Sequence, residues 1–227
     1  MKYLFDLNTE EKICWIFGAG SFYGTYSQPK PGDLVIAADG GMDRLKQIGL
    51  QPDLLIGDFD SMRQPAEQRP DEVLRLSKTK DLSDSAAALA AGKERGYRLF
   101  YLYGCTGGRL DHTLANVQDL TGLAAEGMQG YLFDNGMAVT AIAGGETAGV
   151  LEFPAGMQGM ISVFSHSDCC EGVREDGLKY TVAEHRLTNT FPLGLSNEFT
   201  ALPGSVSVKQ GVLVIVFELS NRETLKK

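Results

Sequence analysis

Basic residues are in deficit in this chain. Its 227 residues carry 21 Lys and Arg against 29 Asp and Glu, a net charge of −8. Indiscriminate nucleic-acid binding rests on a surplus of positive charge, so that class is set aside. Cysteine is also scarce. The four present, Cys14, Cys105, Cys169 and Cys170, form no C-x-x-C pair, and the adjacent Cys169 and Cys170 are poorly placed to bridge to each other. Reduced thiols are expected. No apolar run approaches the length of a membrane-crossing helix. Residues 1–12 include Asp6, Glu10 and Glu11 and lack the basic and apolar blocks of a secretory leader, so a cytoplasmic location is expected. The Gly-x-x-x-x-Gly-Lys-Ser/Thr loop is missing as well, which excludes a Walker-type nucleotide site. His166 and His185 have no Cys or His partner at metal spacing, so zinc is not expected.

What is present is an ordinary globular balance, 43% hydrophobic and 22% charged, in a chain long enough for one large domain or two small ones. Short apolar runs at residues 13–17, 34–38, 54–56, 73–76 and 99–103 read as buried strands. Helix-like stretches at 42–48, 84–95 and 111–126 fall between or after them. This alternation predicts an α/β domain with a mostly parallel sheet over residues 1–145. Ser83 is a natural N-cap for the Ala-rich second helix, Asp84 suits its first turn, and Gly96 is a plausible stop. From about residue 146 to 227 the pattern changes to short β-like pieces (160–164, 178–182, 206–209 and 212–219) divided by turn residues. No helix intervenes, so an all-β, sandwich-like C-terminal domain is expected.

Acids and glycines fall just after the predicted parallel strands. The second run ends in Asp39-Gly40-Gly41, and the third in Gly57-Asp58-Phe59-Asp60-Ser61. The fourth runs into Lys80-Asp81-Leu82-Ser83-Asp84, and the fifth into Gly104-Cys105-Thr106-Gly107-Gly108-Arg109-Leu110-Asp111-His112. In a parallel sheet the strand C-termini share one edge, where ligands bind. Each piece alone is ordinary: Asp-Gly-Gly is a common turn, and Asp84 suits a helix dipole. Together they crowd carboxylates on one rim, which costs electrostatic energy unless cations sit among them. Hard oxygen ligands favour Mg²⁺, which commonly also binds substrate phosphates. Gly107 and Gly108 before a helix let backbone N–H groups approach a phosphate, and Arg109 adds a fork for its oxygens. The set describes phosphoryl or diphosphoryl transfer.

In this order the motifs resemble those of the thiamine pyrophosphokinase family. The later Gly177-Leu178-Lys179-Tyr180 and Gly194-Leu195-Ser196-Asn197-Glu198-Phe199 match that family's C-terminal motifs, so the resemblance runs from about residue 34 to the end. It implies an α/β domain binding ATP and Mg²⁺, a β-sandwich domain binding thiamine and forming a homodimer, and transfer of diphosphate from ATP to thiamine with release of AMP. By position it implies Asp58, Asp60 and Asp84 as metal-linked acids, with Asp39 and Asp81 close by. Asp84 or Asp81 would accept the alcohol proton, Arg109 and Asp111 would fix the nucleotide, and Ser196 and Asn197 would line the thiamine site. The chain departs from the family pattern at Met42-Asp43, where Ala-Asn is frequent, and at Ser83, where Thr is usual. The Gly18-Ala19-Gly20-Ser21 loop matches loosely.

Two other readings compete. The run into Asp58-Phe59-Asp60 is similar to the strand and Asp-x-Asp of haloacid-dehalogenase-type phosphatases, in which the first Asp is a nucleophile; that reading leaves the glycine–arginine loop and the β domain unexplained. A non-catalytic nucleotide- or thiamine-binding module is the third. Trp15 reads as core and His112 as a support of the helix start.

Overall fold

The computed structural model describes residues 11–57, 70, 72–76 and 82–219. Within them, residues up to 116 together with 132–135 form one compact unit; 117–131 and the residues from 136 onward form another.

The first unit is built on β1 (Ile13–Phe17), β2 (Leu34–Ala38), β3 (Leu54–Gly57), β4 (Glu72–Arg75) and β5 (Leu99–Tyr103), in the order β5-β1-β2-β3-β4. Every neighbouring pair is parallel. Strands β1, β2, β3 and β5 are buried at every position, which is why they read as unbroken apolar runs. The fourth expectation needs correction: β4 is exposed at all four residues. Among the described residues it pairs with β3 alone, at the end of the sheet.

Helices α1 (Gly41–Gln47) and α2 (Asp84–Glu94) belong to this unit, and α3 (Leu110–Ala125) begins in it. The Ser83 hydroxyl accepts from the Ala86 N–H at 3.1 Å and caps α2. Gly96, at φ +84°, ends it: its N–H bonds the Lys93 carbonyl and the Tyr97 N–H bonds that of Gly92. This paired closure needs a left-handed residue, which glycine supplies at little steric cost. Small residues on α2 let it approach the sheet; a Cβ on Gly92 would lie 2.8 Å from both Cys14 Sγ and the Phe100 ring. The core centres on Tyr103, stacked on Trp15, Phe17 and Phe133 at 5.8, 5.5 and 4.5 Å. Trp15 has no exposed surface, and its indole N–H donates to Asp33 at 2.9 Å.

Strand β6 (Gln129–Asp134) has residues in both units. The second unit continues with β7 (Met137–Gly144), β8 (Gly149–Phe153), β9 (Met160–Ser165), β10 (Cys169–Asp176), β11 (Val182–Thr188), β12 (Asn197–Glu198), β13 (Gly204–Val208) and β14 (Gly211–Glu218). They pair antiparallel in two runs, β12-β9-β14-β7 and β11-β10-β13-β8. Burial alternates along β9 and much of β10, as expected for strands with one face on a core. Phe153 meets Phe199 and Phe217 edge-on in that core, at 5.0 and 5.5 Å.

The expected β piece at 178–182 is not a strand. Leu178 makes an isolated bridge to Phe199, and the strand starts at Val182. Between them the Tyr180 N–H and carbonyl bond the Asn197 side chain at 3.0 and 2.8 Å, taking the place of ladder bonds. No α-helix follows α3 among the described residues. None of their helices is long and apolar enough to cross a membrane, and all four cysteines are free thiols.

Candidate active site

The chain leaves β1 for β2 on one side, while β5 returns to pair with β1 on the other. The loops after β1 and β5 therefore emerge side by side at the C-terminal edge, the place where open parallel sheets bind ligands. A cavity of about 320 Å³ lies there within the α/β unit. Its walls come from the loops after β1, β2 and β5 and from the first turn of α2.

Two of these loops lie backbone against backbone. Gly20 N–H bonds the Gly104 carbonyl at 2.6 Å and Ser21 N–H bonds that of Thr106 at 2.7 Å. Arg44, on α1, holds the same loop from its other side, donating to the carbonyls of Gly20 and Ala19 at 3.1 Å each. Side chains would break this fit, since a Cβ on Gly20 would fall 2.3 Å from the Thr106 carbonyl oxygen. Gly107 and Gly108 follow at φ +74° and +69°. A Cβ at Gly107 would meet Ser21 Oγ at 2.1 Å, whereas one at Gly108 would meet nothing, so Gly108 is required by backbone conformation alone.

Asp39 and Asp84 both line the cavity. Asp39 occupies a left-handed conformation, φ +48°, and its N–H bonds the Ile56 carbonyl at 2.7 Å. The chain must turn sharply here because Gly41 lies against β1, where a Cβ would come within 1.7 Å of the Phe17 oxygen. Asp is one of the few side chains tolerant of that conformation, and such strain concentrates at functional sites. Asp84 is set by the capped start of α2.

Arg109 also lines the cavity and is exposed, gripping Asp111 through Nε at 3.1 Å and Nη2 at 2.5 Å. The Asp111 carboxyl is held below its ordinary range, chiefly by the Arg109 hydrogen bond and also by the His112 N–H, and the guanidinium is pushed further up by the same pairing. Asp111 thus orients Arg109 instead of facing the cavity.

The other predicted residues are not among those lining the cavity within this unit's described residues. Asp58, Asp60 and Asp81 lie outside the described residues. Ser196 and Asn197 belong to the β-rich unit. Ser196 is exposed at φ +64°, its N–H donating to Ser162 Oγ at 3.0 Å. Asn197 is buried, and its amide is spent on Tyr180 and on Glu175, to which it donates at 2.8 Å. Among the described residues no three potential metal ligands cluster.

Residues that the sequence left in the background also line the cavity: Gly18, Ala19, Gly20, Ser85, Thr106 and His112. The Thr106 hydroxyl is buried without a partner among the described residues. A glycine-rich loop directly after the first apolar run was the available signal for the first three. Thr106 and His112 fall inside the motif after the fifth run without a binding role of their own there, and nothing in a lone serine marks Ser85.

Comparisons with known proteins identify the family and the fold. The family model described as thiamin pyrophosphokinase, catalytic domain, matches residues 29–132, and the one described as thiamin pyrophosphokinase, vitamin B1 binding domain, matches 150–213. A thiamine pyrophosphokinase of Bacillus subtilis is 27% identical over 187 residues, covering 81% of this chain and 86% of the relative. A crystal structure of thiamin pyrophosphokinase from Geobacillus thermodenitrificans superposes with a TM-score of 0.77 at 25% identity, covering 94% of this chain and all of that one. One from Bacillus subtilis gives 0.79 at 24% identity, covering 92% and 99%, a likeness of fold.

Proposed function

Because the chain belongs to the thiamin pyrophosphokinase family, an enzyme family, we propose that it transfers a diphosphate group from ATP to thiamine in a Mg²⁺-dependent reaction. The observation that carries this reading is the cavity at the C-terminal ends of the parallel strands, which brings glycine turns, an arginine and two carboxylates together in one unit. Glycine backbones admit phosphate close to the main chain.

The donor set suits Mg²⁺ in kind, since Asp39 and Asp84 supply hard carboxylate oxygens on the cavity wall. Asp84, with Asp58 and Asp60, would hold the metal. When bound, it supplies positive charge to the phosphates and lets an acidic site accept a nucleotide. Gly107, Gly108 and Arg109 bind phosphate oxygens, with Asp111 fixing the arginine fork. Asp39 stands beside the metal-linked acids.

In the reaction the hydroxyethyl oxygen of thiamine attacks the β-phosphorus of ATP. The bond from that phosphorus to the α,β-bridging oxygen breaks, and AMP leaves with the bridging oxygen. Asp84 or Asp81 takes the alcohol proton. Ser196, Asn197 and their loop contribute to thiamine binding. The location is cytoplasmic, and the working form is a homodimer. Phe191, Leu193 and Leu195 support self-association, since they lie more than half exposed on one short segment of the β-rich unit.

The test is to incubate the protein with ATP, Mg²⁺ and thiamine and follow AMP and thiamine diphosphate. Equal appearance of both supports the reading. Inorganic phosphate released from ATP without thiamine would favour a phosphatase, and ligand binding with no AMP would favour a non-catalytic module.

A further inference from the structure

Three side chains and one main-chain carbonyl form a continuous relay beside the cavity. Ser83 Oγ lies 3.1 Å from Ser85 Oγ, and Ser85 Oγ lies 2.6 Å from Asn116 Oδ1. Asn116 Nδ2 donates to the Cys105 carbonyl at 2.7 Å. The direction of the relay follows from chemistry. A carbonyl can only accept, so the amide nitrogen must face Cys105 and the amide oxygen must face Ser85. The Ser85 proton is therefore committed to Asn116, and the bond between the two serines takes its proton from Ser83. Ser83 in turn accepts from the Ala86 N–H as the cap of α2.

The relay joins the two walls that would grip the nucleotide. At one end stands the first turn of α2, which carries Asp84 and Ser85. At the other stands the loop from Gly104 to Arg109. Both walls line the cavity, but Asn116 does not. It sits in α3 with only 4% of its surface exposed. Burying a primary amide is costly unless its polar atoms are satisfied, and here each is spent on a different wall.

We propose that Asn116 is a positioning residue for the nucleotide, holding the glycine–arginine loop at a fixed distance from the Asp84 turn. This rests on the function proposed above and deepens it. Neither a direct ligand contact nor a titratable group is involved. The link acts through where it places Gly107, Gly108 and Arg109 relative to Asp84.

Two variants cut the relay at different points. Asn116→Asp keeps an acceptor for Ser85 but sets a carboxylate oxygen against the Cys105 carbonyl. Ser85→Ala leaves the bond to Cys105 and frees α2. Misplacement of binding groups by about 1 Å can cost up to about a hundredfold. Each variant is expected to raise KM for MgATP by roughly tenfold, with KM for thiamine within about twofold of wild type, and the double variant to be no worse than the more impaired single one. Ser85→Thr, which keeps the hydroxyl, should restore the wild-type value. Binding of a non-hydrolysable ATP analogue, measured by calorimetry on the folded variants, should weaken in parallel. Lowered melting temperature with unchanged KM and analogue affinity would show a merely structural amide and overturn the proposal. Additive losses in the double variant would overturn it too. If Asn116→Asp does not fold, Ser85→Ala and Ser85→Thr decide alone. A wild-type protein that binds no nucleotide would instead bring down the functional reading, so the two failures are distinguishable.

Discussion

Asp84 is the one proposed metal-linked acid within the described residues, and its surroundings separate chemistry from folding. Its helix is capped by the neighbouring Ser83, so Asp84→Asn leaves the cap intact while giving up a weak helix-dipole benefit. We expect AMP formation to fall by at least about a hundredfold, as for loss of a group stabilising transition-state charge, with melting within a few degrees of wild type by calorimetry. Pre-steady-state pH profiles of Asp84→Asn and Asp81→Asn would then identify the proton acceptor as the residue whose loss removes the acidic limb. A second carboxylate gives the opposite kind of prediction. Glu175 is buried in the β-rich unit with Asn197 as donor, and burial pushes its pKa above the ordinary 4.5. A carboxyl raised in the folded state stabilises fully below its unfolded value, and that stability is lost as pH rises through the folded value. Glu175→Gln retains an acceptor for Asn197 and escapes the loss. Its denaturant midpoint should match wild type near about pH 4 and exceed it near about pH 8.

At the scale of elements, the loop after β5 makes a graded prediction. Gly108→Ala meets no neighbour but must hold φ +69°, a cost of about 1–2 kcal/mol. Gly107→Ala meets the same backbone cost and also collides with Ser21. Both should raise KM for ATP, Gly107→Ala more, and chemical denaturation should rank their stabilities in the same order. The same contrast explains what could be read from the sequence. Strands β1, β2, β3 and β5 were legible because burial along their whole length demands unbroken apolar runs. The ends of α2 were legible because Ser83 and Gly96 serve the termini through their own chemistry. Strands β6 and β7 were not, because buried Gln129 and Thr140 interrupt the apolar pattern. Those two side chains satisfy each other at 2.5 Å, with Thr140 also donating to the Gly130 carbonyl. The turn at Tyr180 was missed because its partner is a side chain 17 residues away. Asp39, Asp84, Gly107, Gly108 and Arg109 could be placed together because strand order puts their loops on one edge. Ser85, Thr106 and Asn116 carry no local signature and required the tertiary structure.

For the molecule as a whole, net charge and partner surface lead to two expectations. With net charge −8, an acidic enzyme taking a nucleotide should depend on divalent cation for binding as well as for turnover. Chelation should abolish AMP release, and restored Mg²⁺ should recover it. The exposed Phe191, Leu193 and Leu195 should be covered in a dimer, so Leu193→Glu with Leu195→Glu should shift sedimentation toward the monomer.

The chain has a single tryptophan, and it lies fully inside the α/β unit, stacked on Tyr103. Intrinsic fluorescence excited at the indole is therefore a private reporter of that unit, silent about the β-rich one. Tyr103 immediately precedes Gly104, so the fluorophore lies one ring away from the strand end that opens into the cavity. The protein thus carries its own optical probe, and emission followed against far-ultraviolet dichroism during denaturation will tell whether the two units melt as one.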